Sequence, residues 1–448
     1  MSGKMICLLL RIAAIAVVLL SVSLHAQWEG AVFDSVPGSL YSTFLSNQAS
    51  CVDTSGNVHV VMREGQSFRR PSYICRDKHG NWHSFESLLE TGKYWGNSRL
   101  IFNPTYNTIH ILLNDIASDT NYVYHHYRDS DGWHSELIDS GYFFSANPDI
   151  AIDLNGVVHI CWPENEYDTT SHIWTSRILY AENSTGDFVT RNISGDRQQE
   201  EPHPWRLDMF IAVEPDGKAH ILEEHYPGLD YYYRDIHWAN GTAYGSNWQA
   251  DSLVISMQFG THVIDMKTDP EGDLHLLADA IVCDPDGGGC NETHTYYYQR
   301  PEGADHWSEQ FVVSYEAGSR CFIPLSLDDI TIFYRRAWGN VTRQELRSAT
   351  LTAEGSWIHQ EILDSSYEVW GFHVMRDLGG RFAVICGYHV LLGPYYLRYY
   401  GPPGESTVAA GNQDELIVIP EIIRLSSYPN PFNAETSVTV SVDYTIQG

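Results

Sequence analysis

The sequence predicts an all-β, seven-bladed β-propeller closed by its own N-terminal strand. Three observations predict it. A unit of about 50 residues recurs seven times along the chain. The composition is aromatic-rich and charge-poor, with 13% aromatic and 19% charged residues. The last repeat lacks an outer strand, and a matching segment stands at the start of the chain. With 448 residues, the chain exceeds the roughly 250–300 residues at which a single core stops growing, so it is multidomain or built from repeats. Its aromatic content excludes disordered and coiled-coil classes.

In chain order, residues 1–26 carry Lys4 and Arg11, an apolar run from Ile12 to Leu20 and a small-residue stretch ending at Ala26. This is the layout of a cleaved secretory signal peptide. The run is shorter than the ~20 residues that span a bilayer. No later segment reaches that length, so no membrane span is expected after signal removal, and the protein is expected to be secreted or at the cell surface. Next comes Trp28-Glu-Gly-Ala-Val-Phe-Asp34-Ser35, which matches Trp133 to Ser140 and Trp357 to Ser365.

The repeats follow. VDTSGNVHVVM (52–62), NPTYNTIHILL (103–113), IDLNGVVHICW (152–162), VEPDGKAHILE (213–223) and TDPEGDLHLLA (268–278) share one design: strand, tight turn, apolar strand with His. Two further copies, 325–335 and 375–385, carry Thr331 and Ala383 in place of the His. The turn anchors Gly56, Asn107, Gly156, Gly217, Gly272, Asp328 and Gly380 are spaced 51, 49, 61, 55, 56 and 52 residues apart. Each copy continues through an aromatic third strand such as SYICR (72–76) or YYYQR (296–300). A polar turn and a fourth strand opened by Trp82, Trp133, Trp248, Trp307 or Trp357 then follow, with Phe188 standing in for Trp in the third copy. Four short strands at this period form a propeller blade. Pairing the 28–35 strand into the last blade removes an exposed sheet edge. The propeller is therefore expected over 27–400.

Gly401 to Gly404 and the Ser/Thr/Ala/Gly stretch after them read as a linker, 401–424. Beyond it stands Tyr428-Pro-Asn-Pro-Phe-Asn433, followed by an alternating strand pattern. This string resembles the opening of the C-terminal sorting domain of bacterial proteins exported by the type IX secretion system. The resemblance implies that 425–448 is the start of a small β-sandwich, truncated here, and that the secretion machinery is a partner.

Acidic residues outnumber basic ones 57 to 27, for a net charge of −30, which opposes attraction to nucleic acid. The repeat pattern over 28–400 resembles the sialidase-like propellers of secreted bacterial glycosidases, polysaccharide lyases and lectins. Only a fragment of the sialidase Asp-box is present, Asp129-Ser-Asp131-Gly132-Trp133.

The recurrent histidines, His59, His110, His159, His220 and His275, lie on strands packed on both sides. They are expected to be buried and hydrogen-bonded between blades rather than to converge on a metal. His220 and His225 have opposite strand parity and do not form a helical zinc motif. No cofactor is expected. The one metal candidate is calcium at Asp284 and Asp286, in the segment Cys283-Asp-Pro-Asp-Gly-Gly-Gly-Cys290. Cys283 and Cys290 are expected to form a disulfide in an exported protein. Cys51, Cys75, Cys161, Cys321 and Cys386 make the mature total odd, which leaves at least one cysteine unpaired.

Ligand-binding candidates come from the loops joining second to third strands and one unit to the next, which share one face of a propeller. They are Arg63, Trp95, Trp162, Glu164, Trp205, His225, Arg335 and Trp338. Aromatics stack on sugar rings, Arg pairs with carboxylates, and Glu or His moves protons. The expected function is recognition of an extracellular ligand, a glycan, on this loop-rich face. The alternatives are a polysaccharide lyase or glycosidase on the same scaffold, or a scaffold that binds a protein partner. No residue is singled out as nucleophile or base.

Overall fold

The computed structural model describes residues 32–35, 49–64, 70–88, 94–117, 120–141, 148–168, 170–199, 209–225, 234–242, 248–257, 261–269, 271–283, 290–304, 307–316, 321–322, 330–337, 344–352, 355–365, 368–376, 382–389, 395–401, 419–429 and 436–445. The first 26 residues lie outside this set. The chain divides into two compact units, residues 1–404 and 405–448.

The first unit is an all-β propeller. Its described strands form seven antiparallel sheets, six of four strands and one of five. The first sheet is Ser50–Val52, Val58–Glu64, Arg70–Arg76 and Glu86–Ser87; the second is Tyr94–Asn103, Thr108–Ala117, Thr120–Asp129 and Gly132–Gly141. The third is Asp149–Ile152, Val158–Asp168, Ile173–Glu182 and Val189–Asn192, with Arg197–Gln199 beside its third strand. The fourth is Met209–Val213, Lys218–His225, Arg234–Thr242 and Gln249–Met257. Thr261–Thr268, Leu274–Cys283, Cys290–Arg300 and Ser308–Glu316 make the fifth, and Cys321–Phe322, Thr331–Ala337, Gln344–Leu351 and Trp357–Ser365 the sixth. The seventh joins Glu368–Arg376, Phe382–His389 and Tyr395–Gly401 to the N-terminal strand Val32–Ser35, with Phe33 opposite Tyr400.

Each sheet shares an apolar core with the next, which is why the second strands read as nearly continuous apolar runs rather than alternating ones. Leu112 and Val123 of the second sheet pack with Ile150, Ile160 and Trp162 of the third. Tyr180 of the third packs with Met209 and Ile211 of the fourth. Further clusters join the fourth to the fifth, the fifth to the sixth, and the sixth to the seventh. The largest cluster joins Met375 and Tyr399 of the seventh to Val60 and Ile74 of the first and Ile111 of the second.

The repeated turn explains the D-x-x-G-x-x-H string. Asp53 Oδ1 accepts the backbone N–H groups of Ser55 and Asn57, and Gly56 has φ +84°, a conformation cheap only without a Cβ. In the second sheet Asn107 takes that role at φ 54°, as a short polar side chain tolerates. The histidine three residues on reaches back to the turn acid and forward to a third-strand phenol. His59 Nε2 lies 3.2 Å from Asp53 and Nδ1 2.5 Å from the Tyr73 hydroxyl. His275 repeats this with Asp269 at 3.1 Å and Tyr297 at 2.5 Å. His159 does so with Tyr180 at 2.6 Å and Asp153 at 3.8 Å. The expectation of hydrogen bonds between blades holds for His220, whose Nδ1 lies 3.1 Å from Arg300 of the fifth sheet, and is corrected for His59, His159 and His275. Their imidazole bonds stay within one sheet because acid, imidazole and phenol lie on adjacent strands and the turn between them, and it is the phenol ring that crosses to the neighbour. Tyr73 meets Trp133 edge-on at 4.9 Å, and Tyr297 meets Trp357 at 5.6 Å.

The second unit contains the antiparallel pair Ile419–Pro429 and Thr436–Thr445, with Tyr428 opposite Ser437. Asn430 to Asn433 of the string Tyr428 to Asn433 lie outside the described residues. Among the described residues no helix is long and apolar enough to cross a membrane.

Candidate functional site

In these antiparallel meanders the C-terminal ends of second strands and the N-terminal ends of first strands fall on one edge, the loop side. Arg63 lies near the end of its second strand, opposite Pro71. His225 closes the second strand of the fourth sheet, opposite Asp235. Arg335 lies opposite Leu346 in the sixth. Trp95 occupies the first strand of the second sheet, within a register shift between Tyr94 and Ser98. The topology therefore places these four on the same edge as Glu164. Trp205, Trp338, Asp284 and Asp286 lie outside the described residues. Cys283 and Cys290 are register partners at the loop-side end of the fifth sheet.

Trp162 stands elsewhere. It is 1% exposed, inside the core between the second and third sheets, and its Nε1 donates to Asp139 Oδ2 at 2.9 Å. Its ring has no face open to a ligand. Tethering to Asp139 makes it a floor under the residues further along the strand.

Those residues form the best-defined part of the edge. On the second strand of the third sheet, Trp162, Glu164 and Glu166 alternate onto one face, and Glu164 stands opposite Arg177 of the third strand. The connecting turn is built by Asp168, which accepts from Thr170 N at 2.8 Å and from Ser171 Oγ at 2.7 Å. His172 closes the turn at φ 57°. Arg177 donates to Glu164 at 3.0 Å and to Glu166 at 3.1 Å, and its Nε lies 3.2 Å from Asp196. The side chains of Glu164 and Arg177 are 21% and 23% exposed, whereas Glu166 and Asp196 are 66% and 56% exposed. A half-buried acid–guanidinium pair is thus rimmed by two solvated carboxylates. Burial, with Asp139 and Glu166 nearby, holds Glu164 above the ordinary carboxylate value although Arg177 pulls it down. A protonatable carboxyl beside a fixed guanidinium can orient a polar ligand and exchange a proton with it. Arg177, Asp139 and Asp196 were not singled out in the sequence. Their signal is the pairing of E-x-E on one strand with Arg on the next, visible only once the register is known.

A second cluster lies on the innermost strands. Arg99, Asp149, Asp265 and His373 occupy equivalent register positions, each opposite the residue two beyond the repeat histidine or its replacement. Arg99 Nε lies 3.2 Å from Asp149 Oδ1, with both side chains at most 2% exposed, and its guanidinium lies 5.8 Å from the Phe210 ring two sheets away. Asp265 pairs with Lys267 at 3.2 Å, and His373 Nδ1 is 2.6 Å from Ser50 Oγ. Burial, with Lys267 and Arg99 adding to it, lowers His373 to about 3, so this imidazole is neutral. The layer joins the second sheet to the third through Arg99 and Asp149 and the seventh to the first through His373 and Ser50.

No protein-family model matches the sequence, and a search of curated proteins also finds no match. Solved structures do resemble it. A polysaccharide lyase of family PL25, an ulvan lyase, shares 11% identity at a TM-score of 0.57, over 82% of this chain and 96% of that one. The β-propeller domain of the Trilobed protease from Pyrococcus furiosus, described as having an open velcro topology, shares 8% identity at a TM-score of 0.48, over 84% and 99%. The GH93 α-L-arabinofuranosidase of Fusarium graminearum shares 8% at 0.47, over 83% and 97%. At such identities the likeness is one of fold, and the first of the three carries it.

Proposed function

We propose that this protein is an exported seven-bladed propeller, one blade per sheet, that binds a glycan on its loop-side edge. The observation that carries the reading is the Glu164–Arg177 pair, half-buried on that edge and set over the fixed Trp162 ring. It joins a hydrogen-bond donor fork and a protonatable acid at a solvent boundary, the combination that recognises sugar hydroxyls. The fold likeness to a polysaccharide lyase supports a carbohydrate ligand. Arg63, Trp95, His225 and Arg335 extend the same edge around the ring, and Trp205 and Trp338 stand in sequence just before and just after strands that begin or end on it. Export rests on the leader-like residues 1–26, and sorting by the secretion machinery rests on Tyr428 to Asn433. The register pairing of Cys283 with Cys290 supports a disulfide there, closing the loop that holds Asp284 and Asp286.

A second reading, glycan cleavage by a lyase or glycosidase, draws on one observation: Glu164 keeps its proton more readily than an ordinary carboxyl while a guanidinium is held beside it. Incubation of the full-length protein with a broad polysaccharide panel separates the readings. Binding predicts retention with substrate unchanged. A lyase predicts new unsaturated ends, and a glycosidase new reducing ends. Failure to retain or cleave any member overturns the glycan reading and favours a protein-binding scaffold.

A further inference from the structure

The five repeat histidines do not have equivalent partners, and the difference is chemical. In the first, third and fifth sheets one ring nitrogen faces a carboxylate, Asp53, Asp153 or Asp269, and the other a tyrosine hydroxyl. A doubly protonated imidazole has an anionic neighbour there, bonded in the first and fifth sheets and 3.8 Å away in the third, and a hydroxyl that can turn to accept. In the fourth, His220 Nε2 faces Glu214 at 2.6 Å and Nδ1 faces Arg300 at 3.1 Å, so one carboxylate remains. The second sheet has neither arrangement. Asn103 holds the turn position of the acid, and His125 replaces the tyrosine. His110 Nε2 meets Thr108 Oγ1 at 2.7 Å, and Nδ1 meets His125 Nε2 at 2.9 Å. The rings stack 5.1 Å apart, and His110 and His125 are 6% and 2% exposed. Among the described residues His125 Nδ1 has no hydrogen-bond partner.

An N–H···N bond between two imidazoles requires one bare nitrogen. A proton added there sets two N–H donors against each other. One added instead to His110 Nε2, where Thr108 Oγ1 can turn to accept, leaves a buried positive charge with no carboxylate bonded to either ring among the described residues. We infer that this buried imidazole pair is an acid-sensitive joint, at which protonation loosens the second sheet from the third while the strands of the third and fifth sheets, whose repeat histidine faces a carboxylate, hold.

The surroundings offer the pair little rescue. From its own sheet it is faced by Tyr127, and His134, engaged by Asp129 at 3.1 Å, stacks on the Tyr127 ring rather than on the pair. Glu136 lies opposite His125 in register, and among the described residues no ion pair joins it to either imidazole. Arg99, on the innermost strand, is committed to Asp149. His126 points to the other side of the sheet. The third sheet presents Phe188, edge-on to His125 at 5.2 Å, with Asp187 acting on Glu136. Burial lowers His110 to about 4, and burial with His110 and His126 lowers His125 to about 3. An opened pair takes protons near the ordinary value of about 6.5. The opened state thus binds more protons below that pH, and closure weakens as pH falls from about 6.5 toward 4.

Hydrogen exchange of the full-length protein at pH 7 and pH 5, corrected for intrinsic rates, tests this. Protection across 108–117 and 120–129 is expected to fall at least about tenfold more than across 158–168 and 274–283. His125→Tyr restores the phenol of the first, third and fifth sheets and is expected to reduce the excess loss, buried His110 remaining. An equal loss in the second, third and fifth sheets, or an excess undiminished in His125→Tyr, overturns the inference. The wild-type comparison decides the matter even if the variant does not fold.

Discussion

Asp53 carries three jobs at once: it caps its turn through Oδ1, receives Asn57 Nδ2 through Oδ2 at 2.7 Å, and holds His59. Hydrogen bonds from His59 and Asn57 outweigh burial and lower its carboxyl to about 2. A carboxylate depressed in the fold stabilises above its unfolded value, near 3.9, and that contribution is lost as pH falls through about 2. Asp53→Asn is therefore expected to cost on the order of 1–2 kcal/mol at pH 7 and nearly nothing at pH 2, measured by urea unfolding at both values. The acid and the histidine were legible as a motif because they lie six residues apart. The tyrosine was not assigned to them, because its place depends on register. Arg99 and Asp149 were illegible for a similar reason: they sit in different repeats and meet only when two sheets stack.

At the scale of elements, the strand Val32–Ser35 supplies the outer edge of a sheet whose other strands lie more than 300 residues away in the chain. The sequence foretold this pairing because the final repeat stops one strand short and the missing segment stands at residues 28–35. Deleting residues 27–35 is expected to lower the unfolding temperature by several degrees and to promote self-association through the exposed edge of Tyr395–Gly401. Calorimetry and light scattering check both effects. Unchanged values would mean that the strand is dispensable. The cysteine pair makes a second element-scale test. Alkylation of the denatured protein with and without reductant is expected to differ by two adducts, both on the peptide holding Cys283 and Cys290. Cys51, Cys75, Cys161 and Cys386, which form no disulfide in the structure, are expected to react under both conditions. The loops over the candidate edge were legible only as a list of chemistries. Of that list Glu164 acquired a defined partner in Arg177, while Trp162 proved to belong to the core, because an apolar ring on a strand packed on both faces is most stable buried.

Across the first unit, the sheets each lack a core of their own and gain one from both neighbours. Its two edges differ. The turn side is made of short Asp-capped turns, such as Asp77 to Asn81, where Asp77 Oδ1 accepts from His79 and Asn81. The loop side carries longer connections and the Glu164–Arg177 pair. The net charge of −30 disfavours polyanionic partners at long range, so retention on an anionic polymer is expected to depend on local contacts and to weaken only slightly with added salt. The central claim is that the loop side is the ligand face. Affinity electrophoresis against a retained polysaccharide, comparing Arg177→Ala with Lys78→Ala on the turn side, tests it most directly. The account predicts at least about tenfold weaker retention, roughly 1.4 kcal/mol, for Arg177→Ala and none for Lys78→Ala. Loss of retention in Lys78→Ala with Arg177→Ala unaffected would contradict it.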